Sequence, residues 1–309
     1  MHHTECVSAA TRTDRGGQLN SSSRTAEPHL FGWGALEGEQ LHGAREDGSV
    51  LTIGIFDGLH RGHQRILAAA ERLASAAGLH RIHIGFDPHP DLLLRGAAPL
   101  RLLDPTEFEL RLAAAGVELW RDLPFDAEMR DTEWEVFLTR LVAATGARSI
   151  VLSPESALGR GREGRLDRIR AWGATRGIQV HPVAEARADG GPIRSTLIRA
   201  AIAAGDLSRA ARALGRPHAI IATRTSVDLE LRVDGEGFAL PPAGEYEVRI
   251  GTAAHRTGRL PLTGRVVRAV FDPAGRSLVL DPSARERLPR GGERLRAALL
   301  KRFAGRRGR

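Results

Sequence analysis

Lysine is almost missing from this chain. The 309 residues include 45 Lys plus Arg, yet Lys301 is the only lysine. A P-loop ammonium, a pyridoxal-phosphate Schiff base and an amine nucleophile are therefore excluded for everything before residue 301. Phosphate recognition has to rest on arginine, histidine and backbone amides. Cysteine is as scarce: Cys6 stands alone in a polar stretch, with no intrachain partner and no neighbouring base. That excludes a disulfide framework and thiol catalysis, and points to a reducing cytoplasm. No apolar run approaches the ~20 residues of a membrane span, and the first residues lack a hydrophobic signal core, so a soluble cytoplasmic protein without a membrane partner is expected. A chain of this length buries a sizeable core in two domains without covalent staples.

What the chain does have is positive charge. A formal charge of +8 and an isoelectric point near 11.0 suit polyanionic ligands such as nucleotides or RNA. An arginine-, glycine- and alanine-rich genome produces the same balance, so charge names no partner, and a nucleic acid is not expected.

The most informative segment is Gly54-Ile55-Phe56-Asp57-Gly58-Leu59-His60-Arg61-Gly62-His63. It closes an apolar strand-like run (Val50, Leu51, Ile53, Ile55) and opens a helix-like one (Ile66, Leu67, Ala70, Leu73). A glycine-rich turn from strand to helix lets backbone N–H groups approach an anion, with the positive end of the helix dipole behind them. His60 and His63, on the first helical turn, can both face such a ligand and donate to a transferring phosphoryl or nucleotidyl group. An HxxH pair also suits a metal site or a solvated helix face; the glycines and the upstream strand favour phosphate. Farther along, Ser195-Thr196 before Leu197-Ile198-Arg199 fits either an N-cap or a cradle for a triphosphate, with Arg199 one turn in and placed for a bidentate grip on the β- and γ-phosphates.

The HxGH pattern behind GxFDGxH resembles the nucleotidyltransferase superfamily. In its wider form it is similar to the adenylyltransferase module of prokaryotic FAD synthases, which is usually fused to a riboflavin kinase. Other segments agree in order: Phe86-Asp87-Pro88-His89-Pro90, Leu123-Pro124-Phe125-Asp126 with Phe137-Leu138, the glycine-arginine loop Gly159 to Gly164, and Pro192 to Arg199. The last resembles a Ser-Ser-Thr-x-x-Arg motif whose first serine is Arg194 here. The resemblance covers roughly residues 48 to 217. It implies in-line attack by an acceptor phosphate, FMN in the family, on the α-phosphorus of ATP, with pyrophosphate released and magnesium bridging the phosphates. His60, His63 and Arg199 would be catalytic. Gly54, Phe56, Asp57, Gly58, Gly62, Asp87, His89, Glu155, Ser195 and Thr196 would bind the substrates, and no dedicated protein metal site is implied. Asp57 would position the turn or a hydrated ion, or serve as a capping carboxylate.

Two departures stand out. Where the family has Phe-x-Phe after an acidic or amide residue, this chain has Ser156 and Leu158 after Glu155, so the ring-stacking wall for a flavin is missing. The kinase signature Gly-x-Pro-Thr-Ala-Asn has no counterpart between Gly215 and Leu240, although Leu240 to Val248 resembles the kinase's internal Pro-x-Gly-x-Tyr strand. These departures leave open a nucleotidyltransferase for a non-flavin phosphate acceptor, or a non-catalytic nucleotide- or flavin-binding regulatory relative.

Periodicity divides the chain. Residues 1–27 have no pattern and are expected to be disordered. Residues 28–216 begin with an apolar patch at Leu30, Phe31 and Trp33. Strands and helices then alternate as in a parallel sheet: a strand at Arg81 to Phe86, a helix at Thr106 to Gly116, a weak strand at Leu119 to Leu123, a helix at Trp134 to Thr145, a strand at Ser149 to Leu152, a helix at Leu166 to Arg176, a strand at Ile178 to Val183, and helices Thr196 to Ala204 and Leu207 to Leu214. A Rossmann-like α/β domain with its site beyond the carboxyl ends of the strands is expected. From residue 217 to 309 the period is two, which predicts a small antiparallel β-barrel, degenerate as a kinase and closed by a basic amphipathic C-terminal helix over Gly292 to Phe303.

Overall fold

A computed structural model describes residues 46–252, 265–287 and 294–303. The expected disordered tail, the patch at Leu30, Phe31 and Trp33, and Cys6 lie outside the described residues.

The first half is a parallel sheet with helices on both faces. Strand β1 (Ser49–Ile53) is buried along its whole length. Such a strand occupies the centre of a sheet covered on both sides. It leads through a 3-10 turn (Asp57–Leu59) into helix α1 (Arg61–Ala77). There Ile66, Leu67, Ala70 and Ala74 share the buried face, and Gly78 ends the helix in a left-handed conformation. The elements that follow are β2 (His80–Phe86), α2 (Pro90–Arg95), α3 (Pro105–Ala114), β3 (Leu119–Leu123), α4 (Ala127–Asp131), α5 (Trp134–Thr145) and β4 (Ala147–Leu152). Next come the hairpin β5 (Ala157–Leu158) with β6 (Gly164–Arg165), α6 (Leu166–Ala174), β7 (Gln179–Pro182), the hairpin β8 (Arg187–Ala188) with β9 (Gly191–Pro192), α7 (Ser195–Ala203) and α8 (Leu207–Leu214). The sheet order is β3-β2-β1-β4-β7, with every pairing parallel. Chain order therefore reverses between β1 and β4, and in open sheets of this kind ligands sit beyond the carboxyl ends of the strands at that reversal. One face packs around Leu138, Leu141 and Ile169, the other around Leu67, Ala70 and Leu112.

The expected helices and strands of this half are present with small shifts of their ends. The short α2 and α4 and the two hairpins lie between the elements expected from sequence.

The second half is a closed antiparallel barrel, ordered β10 (His218–Arg224), β11 (Glu230–Val233), β14 (Ser277–Leu280), β13 (Arg265–Asp272), β12 (Gly244–Thr252), β15 (Arg294–Arg302). Its core includes Tyr246 and Phe271, edge to face at 6.2 Å. The expected C-terminal helix is corrected here: Arg294–Arg302 is a strand, hydrogen-bonded to β10 on one side and β12 on the other. Leu, Ala, Arg and Lys are good helix formers, and apolar residues at 295, 297, 298, 299 and 300 satisfy either period. The two free strand edges decide the matter, because an unpaired barrel edge leaves a row of backbone groups unsatisfied. Among the described residues no helix is long and apolar enough to cross a membrane.

Candidate active site

The turn after β1 is built on three unusual backbone positions. Gly54 has φ 148°, Gly58 φ 75° and Leu59 φ 41°. Gly58 also lies under Leu102, where an added Cβ would come within 3.0 Å of the leucine's Cβ and Cδ1. The turn delivers His60, in extended conformation, to the N-cap of α1, where its Nδ1 accepts hydrogen bonds from the amides of Gly62 (3.1 Å) and His63 (3.4 Å). Those two bonds fix the neutral tautomer: the proton sits on Nε2, and His60 is a donor at that nitrogen. Gly62 is required because a Cβ there would lie 2.9 Å from Cε1 of the folded-back ring.

His63 stacks on His60 with ring centroids 3.6 Å apart. Phe56 lies beneath His63 at 4.4 Å and 5°, and His83 from β2 lies beneath Phe56 at 4.3 Å. Four rings thus form a column from the sheet to the site. Burial lowers the pKa of His60 to about 4, helped by the nearby Arg216 charge. Burial pushes His63 well down, with the like charges of His60 and His83 acting in the same direction. Burial lowers His83 to about 3. All three imidazoles are neutral at pH 7, so His60 and His63 can polarise an oxygen only by donating an N–H and not by carrying a charge, while His83 lies beneath Phe56 as support. The Nδ1 of His83 meets Thr52 Oγ1 at 3.1 Å.

Asp57 positions the turn; it does not cap a helix. One carboxylate oxygen accepts the Leu102 amide at 2.9 Å and the other takes Nη2 of Arg199 at 2.6 Å. Ser195 Oγ donates to the Asp57 carbonyl at 3.3 Å. Arg199 also donates Nε to the Leu100 carbonyl at 2.6 Å, so two of its donor groups are engaged and its hold on Asp57 is a largely buried ion pair. The structure therefore brings Gly54, Phe56, Asp57, Gly58, His60, Gly62, His63, Ser195 and Arg199 into one cluster. Thr196 follows on the exposed first turn of α7. Arg194 occupies that helix's N-cap, and no side chain caps it, which suits an anion at its free amides.

Asp87, His89 and Glu155 lie at the margin. Asp87 faces Arg101 at 3.4 Å. His89 caps α2 by accepting the Asp91 amide at 3.1 Å, and burial lowers its pKa within range of the charges on Asp91, Arg199 and Asp57. Glu155 is exposed, 3.8 Å from Arg194, which also pairs with Glu185 at 3.1 Å. Ser156 caps its own turn through Ser153, and Leu158 packs half-buried on the core beside the sheet. Gly159 and Gly164 abut Trp134, whose backbone and Cβ leave no room for side chains there.

Sequence reasoning missed three contributors. Arg216 donates to the carbonyls of Gly58 (2.7 Å), Leu214 (3.3 Å) and Leu59 (3.5 Å). Burial lowers its pKa to about 9, with the Arg111 charge adding to the effect. Gln64 clamps Leu59 and Leu214 through the same carbonyls at 2.8 and 2.9 Å. His83 supports the ring column. Nothing local marks Arg216 among so many arginines; a histidine at an apolar position of β2 was the one available signal.

A family model described as FAD synthetase matches residues 43–197. A bifunctional riboflavin kinase/FMN adenylyltransferase of Pseudomonas fluorescens is 33% identical over 58% of this chain and 59% of its own length. A FAD synthetase of Listeria monocytogenes is 32% identical over 66% of this chain and 82% of its own. The match spans about three-fifths of the length of the bifunctional relatives of Pseudomonas fluorescens and Escherichia coli. Among solved structures, one described as a macrolide-efflux protein from Streptococcus pneumoniae superposes with a TM-score of 0.71 over 83% of this chain and 94% of that one, at 22% identity. That likeness shows a shared two-domain fold and nothing about activity. With the turn, the ring column and the α7 N-terminus in place, and with the family model and the Listeria relative matching across them, the chain belongs to the FAD synthetase family.

Proposed function

We propose that this chain is an adenylyltransferase that moves AMP from ATP to FMN, giving FAD and pyrophosphate. The observation that carries the reading is the neutral His60, whose Nδ1 is held by two backbone amides so that its proton sits on Nε2, stacked on His63 and joined through Asp57 to Ser195 and Arg199 of α7. An oxygen of the acceptor phosphate attacks the α-phosphorus of ATP; that P–O bond forms as the bond to the β-phosphate oxygen breaks, and pyrophosphate leaves with the electron pair. No covalent enzyme intermediate is needed. The two imidazoles donate to the α-phosphate oxygens as charge builds there, while the glycine turn and the α7 amides hold the rest of the triphosphate.

Both oxygens of Asp57 are engaged, and no cluster of three ligating side chains occurs among the described residues. A magnesium ion would arrive on the triphosphate and would supply neutralisation of phosphate charge there.

One observation favours a second reading. Ser156 and Leu158 stand where stacking aromatics would hold a flavin ring, and Arg194 is paired with Glu155 and Glu185 beside them. A non-flavin phosphate acceptor is the alternative. On this proposal the barrel has no riboflavin kinase activity, since the segment between β10 and β12 lacks the Pro-Thr pair that would meet Mg-ATP. Pyrophosphate release by the full chain from ATP with FMN, and with other phosphate acceptors, separates the readings. FMN-dependent release supports adenylyl transfer to flavin, release only with another acceptor supports the alternative, and release with none refutes both.

A further inference from the structure

One segment, Leu100 to Glu107, lies between the candidate catalytic turn and the barrel and is bound to each by alternate residues. Toward the turn, the Leu100 carbonyl accepts Arg199 Nε at 2.6 Å, the Leu102 amide donates to Asp57 at 2.9 Å, and the Leu102 side chain covers Gly58. Toward the barrel, the Arg101 amide donates to the Gly237 carbonyl at 2.6 Å and its carbonyl accepts the Ala239 amide at 2.9 Å, a short parallel β-bridge. Asp104 pairs with Arg294 at 3.1 Å, and Glu107 pairs with Arg296 at 3.0 Å and with Arg111. Both arginines 294 and 296 stand on β15, the strand that closes the barrel.

The ion pair at the centre of this contact is buried: 2% of Glu107 and 11% of Arg296 are exposed. Burial pushes the Glu107 carboxyl up, but the guanidiniums of Arg296 and Arg111 overcome it and hold the pKa below the usual carboxylate range. Leu102 is fully packed with Ile198, Ile202, Leu214 and Ala239, so both domains share one apolar cluster around the same segment. Ala239 is itself held by buried His218 at 2.9 Å.

We infer that the barrel serves in this chain as a positioning element for the transfer site, holding Asp57 and Gly58 in place through Leu100 to Glu107. A packed interface alone would not require residues 100 and 102 to hold the turn while residues 101, 104 and 107 hold the barrel. Loss of the β15 contacts frees the Leu102 amide from Asp57 and lets the His60 turn drift, and a displacement of about 1 Å costs on the order of 10² in rate.

The inference rests on the adenylyltransferase reading for its activity arm only. The full chain carrying Arg296→Met is expected to lose at least tenfold in kcat for pyrophosphate release, with KM for ATP within threefold. Hydrogen exchange at residues 57–62 and at the Leu102 amide should accelerate at least tenfold in the folded protein, and Arg296→Lys should recover part of both. Phe271→Leu, in the barrel core away from the contact, lowers the melting temperature without touching that exchange. Should Arg296→Met not fold, Arg294→Gln at its half-exposed position carries the same comparison. Wild-type exchange and wild-type kcat in the folded variant would overturn the inference, as would equal acceleration in Phe271→Leu. If the wild type releases no pyrophosphate, the transfer reading falls and the exchange arm still decides the role of the barrel.

Discussion

Arg216→Met separates what holds the catalytic turn from what stabilises the fold. Among the described residues the guanidinium has no carboxylate within hydrogen-bonding distance; it is held by the carbonyls of Gly58, Leu59 and Leu214. Burial lowers its pKa from the usual guanidinium range to about 9, which is about 5 kcal/mol disfavouring the charged form. Because the residue keeps partial exposure, solvent screening reduces that figure to about 2–3 kcal/mol. The sign follows from linkage: a lowered pKa on a base means the folded state carries this cost at every pH below about 9. Methionine removes the cost and keeps most of the apolar stem. What it loses is the donor to Gly58, about 1–3 kcal/mol for a buried carbonyl left unpaired, whereas Leu59 and Leu214 keep Gln64. The two terms nearly cancel, so the unfolding free energy in urea should change by less than about 2 kcal/mol in either direction. Pyrophosphate release should nevertheless fall by about 10²-fold, because the Gly58–Leu59 backbone that aims His60 loses its strongest external support. Wild-type kcat in this variant would refute the positioning role of Arg216. A loss of stability above about 4 kcal/mol would refute the balance between desolvation and hydrogen bonding.

Three further outcomes are expected. His60→Ala loses both the N-cap and the Nε2 donor, so it should lower stability by about 1 kcal/mol and rate by about 10²–10³, whereas His60→Asn keeps a capping side chain and should recover stability alone; urea titration beside steady-state kinetics checks this, and wild-type activity in either variant would refute the donor role. Gly62→Ala has ordinary backbone angles but puts a Cβ 2.9 Å from the His60 ring, so kcat should fall more than tenfold with the melting temperature nearly unchanged, and an unaltered kcat would count against the ring position. Buried His60, His83 and His218, with pKa values lowered to about 4, 3 and 4, stay neutral in the fold while their unfolded counterparts take up protons below about pH 6.5. Stability is full above that pH and is lost as pH falls, by about 2 kcal/mol per histidine at pH 5, so equal urea midpoints at pH 7.5 and pH 5 would refute the burial argument, and His83→Leu should flatten the slope.

The turn chemistry was legible in the sequence because it is local. Glycines at 54 and 58 answer to positive backbone angles and Gly62 to the His60 ring two residues away, and two histidines three apart at a helix start must lie side by side. The alternation of elements in the first half was legible for the same reason, since burial of one helix face or of a whole central strand imprints its period on the chain.

Only the tertiary structure decided the rest. The segment Arg294–Arg302 satisfies a helical period and has helical propensity, yet it is a strand because two barrel edges would otherwise lack hydrogen-bond partners. Arg199 has the motif position of a phosphate ligand, but where its guanidinium rests depends on Asp57 and Leu100, over 95 residues away in sequence. His83 and Arg216 reach the site from β2 and from the end of α8, and their roles come from the rings and carbonyls they meet there, which no local pattern encodes. Sequence alone determined which groups are available for the chemistry; packing between distant segments determined which of them are aimed at it, because desolvation and hydrogen-bond geometry exist only once those segments meet.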